Sequence, residues 1–172
     1  MKKKISAATG KNNNTISLIC GILYTVLAVI IRLFNKNPYE VLHRIDTGNI
    51  MLPLWIFNIF SFAMCFLSGF AAGIIIHDIL SGKSGGRKEI KAYQGGLLFV
   101  TVIFLSLVWY SVFFGSEALF IAFLISLLSL CLSVAVTYLW SFTNLKSTLM
   151  MAVYSVWMFY IFLLNLFIIF NN

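Results

Sequence analysis

Tyr154, Trp157, Ile161, Leu164 and Asn165 stand at i, i+3, i+7, i+10 and i+11 of a nearly unbroken apolar run, residues 152–170. At about 100° per residue these offsets fall on one face of a helix. The face carries a phenol, an indole and a carboxamide, groups that stack and hydrogen-bond rather than break bonds. A carboxamide in an apolar surround is costly without a partner, so this face points at protein, not at lipid. Trp157 also sits too deep in the run for an interfacial belt residue.

Similar spacing recurs in three other apolar runs. One holds Ser106, Trp109 and Phe113; another holds Trp55, Asn58, Phe62, Cys65 and Gly69; a third holds Ala122, Ser126, Ser129, Ser133 and Thr137. Together they describe an interior lined by aromatics, small residues, hydroxyls and amides, which suits a flat apolar ligand with a few polar groups. The competing reading is that the same residues simply pack helices together. Catalysis finds little support, since two histidines and five acidic residues, so placed, assemble neither a nucleophile–base pair nor a metal site. No catalytic residue and no metal is expected. His77 and Asp78, at the end of a run, read as interface residues. Cys20, Cys65 and Cys131 have no paired spacing and read as packing residues, not as a disulfide framework.

The elements that must position these residues follow from composition. The chain has 172 residues, 61% hydrophobic and 10% charged, with mean hydropathy +0.99. Soluble domains carry about 25% charged residues, so this is an integral membrane protein. Uninterrupted runs each reach the roughly 20 residues that span about 30 Å of hydrocarbon. They predict an all-α membrane protein, a bundle of five transmembrane helices at about 15–34, 52–76, 94–114, 118–140 and 148–170. The runs are continuous rather than alternating, which disfavours a β-barrel. Residues 1–14 read as a disordered basic tail and 15–172 as the membrane domain. In the first long loop Pro38 opens a short helix with Tyr39, Leu42 and Ile45 on one side, either a cap over a pocket or an interfacial tether. Ser116 is the expected N-cap of the fourth span.

The net charge of +7 comes from cations at helix ends, which orient a membrane protein and meet anionic headgroups; no nucleic acid partner is expected. Nine of them (Lys2, Lys3, Lys4, Lys11, Lys83, Arg87, Lys88, Lys91, Lys146) fall on one side and three (Arg32, Lys36, Arg44) on the other. The positive-inside rule then puts the N-terminus in the cytoplasm. No ionisable residue falls clearly at mid-depth, which weighs against a proton-coupled transporter. Gly69 and Gly73 form a G-x-x-x-G, a homodimer face or an internal contact.

Three segments, in order, resemble the translocator protein family, also called tryptophan-rich sensory protein (TspO) or peripheral benzodiazepine receptor. "LPLWIFNIFSFAMCFLSG" is similar to P-P-G-W-x-F-G-x-x-W-x-x-x-Y-x-x-x-G through Pro53, Trp55, Phe57 and Gly69. "WYSVFFG" resembles W-S-x-x-F-F-G through Trp109, Phe113, Phe114 and Gly115, and "VYSVWMFYIFLLN" resembles P-Y-x-x-W-x-x-F-A-x-x-L-N through Tyr154, Trp157, Leu164 and Asn165. The departures are Leu52, Ser61, Cys65, Ser106, Val153 and Ile161, where the family has Pro, Trp, Tyr, Asn, Pro and Ala. The sterol-recognition pattern of animal members has no counterpart in "LLNLFIIFNN".

The resemblance implies a receptor, often dimeric, for tetrapyrroles or similar planar hydrophobic ligands, with a sensory or transport-related role in a bacterial plasma membrane. It requires no cofactor; protoporphyrin IX or haem would be ligands, and the bilayer is the other partner. The implied ligand set is Trp55, Phe57, Ser61, Cys65, Ser106, Trp109, Phe113, Ser126, Tyr154, Trp157, Ile161 and Asn165, with Arg44 and His43 placed above it to meet a ligand carboxylate. Two alternatives stand beside this reading. One is light- and oxygen-dependent porphyrin degradation through Trp157, disfavoured because its partner tryptophan is Ser61; the other is a scaffold with no ligand, its pocket filled by residues such as Ile161.

Overall fold

The computed structural model describes residues 2–35, 38–45, 51–82 and 85–172, with side chains from Thr15 onward. All regular structure among the described residues is helical: α1 (Lys2–Leu33), α2 (Pro38–Arg44), α3 (Leu54–Leu80), α4 (Arg87–Tyr110), a π-helical turn (Ser111–Ser116), α5 (Leu119–Ser141) and α6 (Leu145–Asn171). Five helices, all but α2, are long and apolar enough to cross a membrane. In hydrocarbon every backbone N–H and C=O must be paired internally, which these runs achieve only as helices. Their outward faces carry large apolar side chains such as Leu97, Val156 and Phe170.

The helix α1 begins at Lys2, within the stretch expected as a disordered tail. Gly10 carries the largest single propensity cost in that stretch, about 1 kcal/mol, with smaller costs at Ser6, Thr9 and Asn12 to Asn14. The side chains of Lys2, Lys3, Lys4, Lys11, Lys36 and Lys83, six of the cations behind the charge-bias reading, lie outside the described residues.

Neighbouring helices in the chain run antiparallel, but the order around the bundle is α1, α3, α6, α5, α4. The α1–α3 seam is built on small residues. A Cβ on Gly69 would stand 2.7 Å from the Cys20 carbonyl oxygen, and one on Gly73 2.4 Å from Ser17 Cα. Ser17 and Gly21 of α1 thus face Gly69 and Gly73 of α3, each pair spaced by four residues, and the two backbones approach as G-x-x-x-G seams do. Of the two readings of this glycine pair, a homodimer face or an internal contact, the packing against α1 shows the internal contact.

At one end of the bundle α2 lies over the helices, opened by Pro38 at its first position. Its inward residues are Val41 and Ile45; Tyr39 is exposed, so the buried side differs from the expected Tyr39–Leu42–Ile45 face. Arg44 pairs with Glu117 Oε1 at 3.2 Å, which ties α2 to the start of α5. Asn35 donates to the Ile31 carbonyl (2.6 Å) and to Ser111 Oγ (3.3 Å). Ser116 does not cap α5: it belongs to the π turn, Glu117 follows in the left-handed region at φ 56°, and Ala118 precedes the helix.

At the other end the sequence reading missed a cap. Asn144 Oδ1 accepts from the Lys146 and Ser147 amides, and its Nδ2 donates to Asp78 Oδ2 at 2.6 Å. Asp78 and His77, expected as interface residues, are buried. The aspartate is withdrawn from the surface because it orients the cap of α6.

Candidate functional site

At the α2 end, α1, α3, α4 and α6 line a cavity of about 60 Å³. Its floor is polar. Ser106 Oγ and Tyr154 OH lie 2.9 Å apart, Tyr24 OH is 3.5 Å from Tyr154 OH, and Ser106 also donates to the Val102 carbonyl at 2.8 Å. Ser61 and Cys65 complete this side, with Ser61 Oγ donating to the Phe57 carbonyl at 2.7 Å.

Two indoles form the opposing walls. Trp109 is stacked on Phe113 with ring centroids 5.2 Å apart. Its Nε1 donates to Asn165 Oδ1 at 3.3 Å, and Asn165 Nδ2 donates in turn to the Ile161 carbonyl at 2.7 Å. The buried carboxamide thus has both its partners, and they fix the orientation of the Trp109 ring. Trp157 stacks on Phe60 (6.0 Å, 18° between planes) and packs on Phe57 and Tyr160. Tyr160 OH accepts from the Leu52 amide at 3.1 Å, anchoring the chain ahead of α3 over this wall.

Seven of the twelve sequence-named residues line the cavity: Ser61, Cys65, Ser106, Trp109, Tyr154, Trp157 and Ile161. Phe57, Phe113 and Asn165 are buried behind the walls as supports. Ser126 is buried, donates to the Phe123 carbonyl and belongs to the packing stripe of α5, whose Thr137 meets Ser155 of α6 at 3.2 Å. Trp55 is 63% exposed on the outer surface and forms no wall. His43 and Arg44 are exposed and do not line the cavity; Arg44 is committed to Glu117.

Sequence reasoning missed the contribution of α1. Tyr24, Ala28, Ile31 and Arg32, at i, i+4, i+7 and i+8, all line the cavity, as does Tyr110. That helical spacing was a usable signal, obscured because Arg32 at the end of an apolar run resembles an ordinary interfacial cation. Instead its guanidinium turns inward: Nη1 donates to Asn58 Oδ1 at 2.7 Å, and the ring centroids of Phe62 and Tyr110 lie 4.2 and 4.7 Å from Cζ. The lining contains no carboxylate and no imidazole. This is a site equipped to stack, hydrogen-bond and meet negative charge.

A second recess, about 550 Å³ and almost wholly apolar, opens on the outer surface between α1, α3 and α4, with Trp140 at its base. Tyr24 is the one side chain shared by the linings of both.

Comparison with known proteins adds one positive finding. No curated protein and no solved structure gives a match. The sequence model of the TspO/MBR family matches residues 15–170, a stretch that contains all five spans but for the last residue of the fifth, and every residue of the cavity. This five-helix membrane protein belongs to the TspO/MBR family.

Proposed function

We propose that the protein is a membrane receptor for a planar hydrophobic ligand of the tetrapyrrole class, held in the cavity between α1, α3, α4 and α6. The observation that carries this reading is the pairing of two indole walls, Trp109 and Trp157, with a polar floor of Ser61, Ser106 and Tyr154. Aromatic faces stack on a flat ring system, and the hydroxyls take up its polar edge. Family membership supports the same class of role. Pockets for drug-sized ligands run to about 300–1,000 Å³. Admitting a whole tetrapyrrole therefore means moving apart the elements at the α2 end, where Tyr160 and Leu52 meet through a single hydrogen bond.

The test is a titration of the purified protein with protoporphyrin IX in the dark, following tryptophan quenching and the Soret band. Saturable binding is expected, and Trp157→Leu should weaken it roughly two- to twelvefold, the value of one aromatic stack. A second reading, a packing scaffold without a ligand, is favoured by the cavity's 60 Å³. It predicts no saturation with any planar probe.

A further inference from the structure

We infer that Arg32 makes this cavity a receptor for an anion: the Arg32 guanidinium receives a carboxylate carried on the ligand's apolar body. The inference rests on the binding role proposed for the cavity and adds the charge of what binds.

Arg32 lines the cavity from the last turn of α1. Its partners are the neutral carboxamide of Asn58 and the rings of Phe62 and Tyr110. No carboxylate among the described residues pairs with it; Glu117, at the same end, is held by Arg44. A guanidinium offers five N–H donors in a planar fork that no pH near neutrality can discharge. Asn58 takes one. Drawing such a group inward from water is costly unless an anion compensates it, and arginines turned into a membrane bundle mark functional sites for that reason.

The surroundings also aim the fork. Two rings grip the guanidinium and the Asn58 oxygen holds one end, so the remaining donors are fixed rather than swinging on a loose side chain. The hydroxyls of Ser106 and Tyr154 line the same cavity, while Trp109, Trp157 and Met158 receive an apolar body. The one cation in the lining meets one carboxylate group, and its planar fork matches that group bidentately. Arg44, the residue that position alone suggests for this role, is excluded by its own ion pair and its absence from the lining.

The experiment uses the full chain in zwitterionic nanodiscs, at a pH well above the carboxylic range. Two pairs of probes are titrated: protoporphyrin IX against its dimethyl ester, and, because the cavity is small, naphthalene-2-carboxylate against its methyl ester. Each acid is expected to bind roughly ten- to a hundredfold more tightly than its ester, the range of a charge-assisted hydrogen bond. Arg32→Gln should bring the acid down to the ester's affinity and leave the ester unchanged. Arg32→Lys, which keeps charge and loses the fork, should fall between.

Equal binding of acid and ester by the unmodified protein overturns the inference while the receptor reading stands. Equal weakening of both by Arg32→Gln also overturns it, by showing a structural role. Binding of the naphthoate but not the porphyrin keeps Arg32 as the anion site and removes the tetrapyrrole. Failure of all four probes to bind the unmodified protein removes both proposals. The acid–ester comparison needs no substitution, so an unfolded variant does not blunt the test.

Discussion

The Trp109–Asn165 hydrogen bond shows what a polar side chain does inside an apolar bundle. Asn165→Leu leaves the buried Trp109 N–H without its acceptor, and the stranded donor should cost about 1–2 kcal/mol. Thermal unfolding in detergent would show it as a lower midpoint, and combining it with Trp109→Phe should recover part of the loss, because no donor then remains unpaired. Additive losses would mean the bond contributes nothing beyond packing. Single residues also show where residue type misleads. Trp55 and Trp157 are equally plausible as cavity walls from their types alone, but only Trp157 faces another helix. Both occupy family positions, yet one lies on the lipid side of its helix and the other inside.

Among the elements, the α1–α3 seam depends on the absence of side chains. Gly73→Val would drive a Cβ into Ser17 backbone atoms, which cannot swing aside as a side-chain end does. The expected loss is about 1–3 kcal/mol or more, read as a lower unfolding midpoint of the monomer in detergent. A dimer contact at the same glycine would instead show an altered association state with an unchanged midpoint. The cap of α6 is a second test at this scale. Asp78→Ala removes the acceptor that holds Asn144 in place, so about 1 kcal/mol should be lost, with Asn144→Ala costing a similar amount and the double variant little more than either. The short helix α2 carries the opposite expectation. Its Arg44–Glu117 pair is solvent-facing, and Arg44→Ala should leave both the midpoint and the acid–ester preference close to unchanged.

Across the whole molecule, the ring of helices closes tightly everywhere except between α4 and the α1–α3 pair, where the large apolar recess opens. Tyr24 stands between that recess and the inner cavity, held by Phe99 edge-on at 6.3 Å and by the Tyr154 hydroxyl. The site thus lies between elements distant in sequence, with the first span contributing as much of its lining as the last.

Five spans, their approximate limits, the inward faces of α4, α5 and α6, and seven cavity residues were legible in the linear chain. The reason is physical: hydrocarbon admits only internally bonded helices, and a buried amide or hydroxyl marks the side that meets protein. Periodicity, however, gives the direction of a face and not the identity of its neighbour. Only the packed bundle decided that Gly69 and Gly73 meet α1, that Trp55 lies outside, that Arg44 is occupied by Glu117 and that Arg32 turns inward. Each outcome depends on which helix stands opposite, and that order is set by how side chains of distant segments fit together.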